Sequence, residues 1–162
     1  AQYAFLVGIR DKLSAVHQSI RDIRRVRAQL GELEKRLGDG EDVADLRAAA
    51  DALGEAMGEV EKALYQTRNK SRQDPLNFPI RLNDKLAGVA SLAAIGDAAP
   101  TSQAYAVRDE LTAAIDAELA KLHELWSRDL PALNEKVLAA AVPAISLAAA
   151  GSAGEAVAGA ED

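Results

Sequence analysis

Two histidines, His17 and His123, are the first residues to weigh for acid–base chemistry or metal binding. Neither sits in an H-E-x-x-H or H-x-x-x-H pair, so both read as surface or boundary residues. The chain has no cysteine, which removes thiolate nucleophiles, disulfides and Cys-based zinc sites. Asp51, Glu55 and Glu59 recur at spacing four, which lines three carboxylates along one helix face. A glycosidase needs two carboxylates facing each other across a cleft, and one helix face supplies a solvated stripe instead. A Gly-rich phosphate loop is missing, because Gly151 and Gly154 do not lie between a strand and a helix. A G-x-S-x-G nucleophile elbow is missing too. The inventory predicts a chain with no active site of its own, no cofactor and no metal.

Charge gives the next constraint. Arg21, Arg24, Arg25 and Arg27 form a basic cluster that an anionic partner would suit. The sequence also supplies acids for it: Asp42, Asp45, Asp51, Glu55, Glu59 and Glu61. Pairing between two neighbouring helices explains the cluster without a ligand. The formal charge of −6 and pI near 5.0 argue against a general nucleic-acid binder, which needs a basic face. No apolar run approaches the roughly 20 residues of a membrane span. The segment Ala1–Val7 is short and lacks the basic start of a signal peptide, and the chain opens on Ala. These features predict a processed chain or a piece of a longer one.

The elements that would position these residues are helices. Alanine accounts for much of the 49% hydrophobic content and aromatics for only 4%, a balance that favours helix over a β-sandwich. A first helix is predicted over 3–37, with the stripe Phe5, Ile9, Leu13, Val16, Ile20, Ile23, Val26, Leu30, Leu33 and Leu37. Gly38, Asp39 and Gly40 should end it. A second is predicted over 41–67, where Val43, Leu46, Ala50, Leu53, Met57, Val60 and Leu64 form the cleanest heptad in the chain. Asp39 or Asp42 should cap it. The short connection makes the pair an antiparallel hairpin.

A third helix is expected over 79–95, with Asn77 as its cap and Pro79 in its first turn. Its inner face would be Leu82, Leu86, Val89 and either Leu92 or Ala93. Gly96 to Pro100 breaks it, and Thr101 should cap a fourth helix carrying Leu111, Ile115, Leu119, Leu122, Trp126, Leu130, Leu133 and Val137. Pro131 should kink or split this helix. The predicted fold is all-α: an antiparallel up-down-up-down four-helix bundle with a long proline-containing loop between helices two and three. Residues 1–142 would form the bundle, and 143–162 a loosely held Ala/Gly tail, dispensable from Gly151 onward.

The loop carries the most individual sequence in the chain: Gln73, Asp74, Pro75, Leu76, Asn77, Phe78, Pro79, Ile80, Arg81, Leu82 and Asn83. Long ordered loops often carry function. Leu76, Phe78 and Ile80 nevertheless look like plugs for the end of the bundle, and Asn77 and Asn83 like loop-fixing hydrogen-bond partners. The segment is expected to be a structural clasp, not a ligand site.

Three stretches carry a family resemblance. Ile9–Leu30 (I-R-D-K-L-S-A-V-H-Q-S-I-R-D-I-R-R-V-R-A-Q-L), Gln73–Leu86 (Q-D-P-L-N-F-P-I-R-L-N-D-K-L) and Gly96–Val107 (G-D-A-A-P-T-S-Q-A-Y-A-V) follow one another in the expected order. Together they resemble the C-terminal helical region of large bacterial BNR-repeat, sortilin-type glycosyl hydrolase-like proteins. The resemblance implies an appendage that follows a β-propeller and a small β-sandwich module, and these would be its partners within the parent chain. It implies a periplasmic or secreted parent and assigns no catalytic residue to the helical region. The functional expectation is a non-catalytic accessory domain for docking or assembly; the alternative is an independent helical adaptor or chaperone-like protein.

Overall fold

The computed structural model describes residues 1–37, 40–69, 74 and 77–142, and every regular element among them is helical. The tail 143–162, and with it the expectation that it is dispensable, lies outside the described residues, as do Gly38 and Asp39. Helix α1 is Gln2–Leu37, α2 is Ala44–Leu64, α3 is Leu82–Ala93, α4 is Ser102–Glu124 and α5 is Leu130–Ala139. A short 3₁₀ turn, Glu41–Val43, leads into α2. A π-helical segment, Leu125–Asp129, joins α4 to α5.

The stripe read from α1 is its buried face. Phe5, Ile9, Val16, Ile20, Ile23, Leu33 and Leu37 are buried, and Leu13, Val26 and Leu30 pack half-buried beside them. The α2 heptad buries Leu46, Ala50, Leu53, Met57, Val60 and Leu64. Each large apolar side chain removed from water in this way contributes about 1.5–3 kcal/mol before the entropy of ordering is set against it. In α3 the choice between Leu92 and Ala93 falls to Ala93, which packs against the core, while Leu92 is 71% exposed.

Length decides how the helices are arranged. At 1.5 Å per residue α1 is about 54 Å long, α2 about 32 Å and α3 about 18 Å. Helix α2 therefore covers only part of the α1 stripe, and α3 covers more of it. Glu61 reaches Arg24 and Arg27, and Gly54 lies under Leu30, so α2 runs against α1. The Gln2 amide donates to the Ala93 carbonyl at 2.7 Å and to the Gly96 carbonyl at 2.9 Å, which fixes the C-terminal end of α3 beside the start of α1. Phe5 meets Tyr105, and Lys12 pairs with Asp116 at 2.5 Å, so α4 runs with α1.

The expected up-down-up-down alternation is corrected by these contacts. Helices α2 and α3 both run against α1: α3 begins near the end of α2, where Gln66 meets Pro79, and ends beside Gln2. The π segment and α5 then extend α4 past α2.

Several expected boundaries move, each for a local reason. Helix α2 ends at Leu64, three residues early, where Tyr65 turns extended and its N–H bonds the Glu61 carbonyl. Its N-terminal cap position is held by Val43 without a side-chain hydrogen bond; the expected caps, Asp39 and the Asp42 side chain, lie outside what the structure describes. Helix α3 starts at Leu82, so neither Asn77 nor Pro79 serves it; Arg81 stands at the cap position, extended. Thr101 does cap α4, its Oγ1 accepting from the Ala104 N–H at 3.1 Å. At Pro131 the expected kink or split takes the form of a π-helical segment that separates α4 from α5. The proline ring and missing N–H conflict with the carbonyl four residues back. The preceding turn widens to accommodate it, the Leu130 N–H bonding the Leu125 carbonyl five residues back.

Among the described residues two backbone sites are left-handed: Gly96 at φ 86° beyond α3, and Ala141 at φ 50° beyond α5. Only the first carries the residue that this conformation favours. Gly96→Ala is expected to cost about 1 kcal/mol and Ala141→Gly to add roughly 0.5–1 kcal/mol. Denaturant melts of the two variants check this, and a shift of the same sign at both sites would refute it.

Candidate functional site

The residues singled out for chemistry lie apart. His17 and His123 are exposed on α1 and α4. Among the described residues no group of three His, Cys, Asp or Glu side chains is placed to hold a metal ion. No described helix is long and apolar enough to cross a membrane. Asp51, Glu55 and Glu59 are exposed on one face of α2, as their spacing required.

The arginine cluster divides. Arg25 reaches Asp22 at 3.6 Å, and Arg21 donates to Gln18 at 2.6 Å, both along the surface of α1. Arg24 and Arg27 cross to α2, where both meet Glu61: Arg24 Nε at 2.7 Å from Oε1, and Arg27 at 3.2 Å from Oε2. The Arg24 guanidinium also lies 5.4 Å from the Tyr65 ring centroid, a cation–π distance. Glu61 is only 3% exposed, whereas about half of each arginine side chain remains in water. The carboxylate is thus the dependent partner. It has been taken out of water and is held by two guanidinium groups that have not.

Of the clasp residues, Gln73, Pro75 and Leu76 lie outside the described residues. The Asp74 carbonyl accepts from the N–H groups of Asn77 and Phe78 at 2.9 and 2.8 Å, forming a turn. Phe78 is half-buried with the Arg68 guanidinium 4.4 Å from its ring centroid. Pro79 is exposed, and so is Ile80, at 46%, so Ile80 is not a plug. Of the two asparagines expected to fix the loop, Asn77 is exposed and the buried Asn83 Oδ1 has no partner; the buried Arg81 Nε has none either.

Gln66 performs that task. It is 5% exposed, its amide donates to the Pro79 carbonyl at 2.8 Å, and its Oε1 accepts from the Arg68 N–H at 3.1 Å. Lying just past the α2 heptad, Gln66 was missed by sequence reasoning. No local pattern marks a glutamine whose partner is a carbonyl thirteen residues away.

Two open surfaces stand out among the described residues. The first is an open groove of about 820 Å³ between α1 and α2, floored by Gly31, Gly54 and Gly58 and edged by Glu34, Asp51 and Glu55. The second is an apolar hollow of about 450 Å³ at the α3–α4 turn, where Leu92, Ile95 and Val107 are exposed and no charged residue lines the wall. Both are open surfaces between helices and suit another protein better than a small substrate, which is held in an enclosing pocket. Neither was read from sequence, because glycines at separate places in two helices become one floor only after the hairpin forms.

The Glu61 arrangement predicts an asymmetry. The double variant Arg24→Ala/Arg27→Ala strands a buried carboxylate and is expected to cost about 3–5 kcal/mol. Glu61→Gln leaves two arginines free to turn to water and is expected to cost only about 1–2 kcal/mol. Urea melts of both variants decide, and a larger loss for Glu61→Gln would show that the arginines, not the carboxylate, depend on the contact.

Comparison with protein-family models, with curated proteins and with solved structures finds no match for this chain.

Proposed function

We propose that this chain is a non-catalytic helical docking module, the C-terminal accessory domain of an exported BNR-repeat, glycosyl hydrolase-like protein. The observation that carries the docking part is the open groove between α1 and α2. It is an unfilled valley along a hairpin that is otherwise closely packed. The parentage rests on the resemblance of Ile9–Leu30, Gln73–Leu86 and Gly96–Val107. Two of these stretches fall at the joins between helices, where the chain's path is set: the first of the two enters α3, and the second spans the Gly96 turn and the Thr101 cap of α4. Residues that fix a chain's path tie a family resemblance to a fold more firmly than residues on a solvated face.

In this reading the partners are the upstream β-sandwich and β-propeller modules, and the compartment is periplasmic or secreted. Any hydrolase-like site belongs to the propeller, and this chain supplies a surface. An independent adaptor is the second reading, favoured by the same groove; the two differ in whether the chain is joined to a propeller.

The coding sequence upstream of Ala1 separates them, since propeller repeats there support the accessory domain and their absence supports the adaptor. The chain alone is expected to show no turnover of aryl glycosides. Turnover that survives purification and vanishes on changing one Asp or Glu would overturn the non-catalytic assignment.

A further inference from the structure

We propose that the α1–α2 groove is the seat of a basic α-helix from a protein partner. The inference rests on the docking reading but not on the propeller parentage.

Shape comes first. The groove runs between two antiparallel helices, and its α2 wall extends from Ala50 to Lys62. That is roughly 18 Å, a little over three helical turns. A third helix laid in the valley between two others is the ordinary way such a surface is completed.

The floor adds an independent argument. Gly31 and Gly58 lie inside long helices, where glycine is less favourable than alanine. A Cβ added at either would meet nothing within 4 Å. Packing within the chain therefore gives no reason for these two glycines. Gly54 differs, since a Cβ there would lie 3.7 Å from Leu30 Cδ1. Glycines along a groove floor let an incoming backbone approach closely, which is how small residues act between packed helices.

Charge selects the occupant. Glu59 and Glu61 at this groove are already held by Lys62 and by Arg24 and Arg27. Glu34 on the α1 wall and Asp51 and Glu55 on the α2 wall have no ion pair or hydrogen bond in the described fold. Three unpaired carboxylates on both sides of one valley suit lysine or arginine flanking the contact face of the occupant, and they repel an acidic helix.

The test uses the full, isotopically labelled chain and three synthetic peptides of equal length: an alanine-based helix bearing lysines, the same helix bearing glutamates, and an unstructured Gly/Ser peptide with the same lysines. The lysine helix is expected to shift the amide resonances of Gly31, Gly54 and Gly58, and the other two to bind at least tenfold more weakly. Gly58→Leu should fill the floor and weaken the lysine helix about tenfold.

The triple change Glu34→Gln, Asp51→Asn, Glu55→Gln should weaken it similarly, and this variant keeps the test alive if Gly58→Leu does not fold. Glu110→Gln, Glu124→Gln and Glu135→Gln together alter the net charge equally, away from the groove, and should leave affinity within twofold. Gly31→Ala and Gly58→Ala should each raise the melting temperature.

Equal weakening by the two triple variants would reduce the binding to net-charge adsorption and overturn the proposal. Shifts confined to the α3–α4 turn, around Leu92 and Ile95, would overturn the groove while leaving the docking reading in place.

Discussion

An apolar stripe runs from Phe5 to Leu37 along a helix of about 54 Å, and no other single α-helix in the described fold is long enough to cover it. Leaving half of it in water would forfeit several buried side chains at about 1.5–3 kcal/mol each, a large share of a typical domain's net stability. The remaining elements answer to this requirement. Helix α2 covers the stripe from its C-terminal end, and α3 follows in the same direction and lies beside its start. Helix α4 returns alongside α1, and the π-helical segment leads from it into α5, which packs against α2.

Polar contacts then fix the register of what burial brings together. Gln2 ties the start of α1 to the end of α3, and Gln66 ties the end of α2 to Pro79. Arg24 and Arg27 hold Glu61 at one height along the α1–α2 hairpin. Most other ion pairs, such as Lys35 with Glu32 and Lys62 with Glu59, lie within one helix and in solvent. There the hydrogen bond from the lysine holds each carboxyl below its ordinary value. Pairs so exposed are screened and contribute little to stability. The tertiary polar work is therefore concentrated in a few contacts, and Glu61 is the one with a charge withdrawn from water.

The same economy shapes the proposed docking surface. Arg27 on the α1 wall and Glu61 on the α2 wall both line the groove, so a contact that fixes the hairpin also joins the groove's two walls. In the proposed docking role the carboxylate stripe Asp51, Glu55 and Glu59 has a place. A solvated stripe on one helix becomes one side of an acidic valley once Glu34 stands on the other. The parentage proposed from the three sequence stretches and the docking role proposed from the groove are compatible, since an accessory domain works through its surface.

Periodicity in the sequence determined the helices, the buried faces of α1 and α2, the break at Gly96 and the cap at Thr101. Each of these follows from interactions spanning at most a few residues: the helical repeat, the backbone freedom of glycine, a hydroxyl within reach of a nearby N–H. The direction of α3 and α4, the partner of Gln66, the convergence of two arginines on Glu61 and the assembly of Gly31, Gly54 and Gly58 into one floor were decided only in three dimensions. Each depends on which height of α1 a later helix meets. That height is set by relative helix lengths and by contacts between residues distant in sequence, such as Gln66 with Pro79, and a local pattern of residues encodes neither.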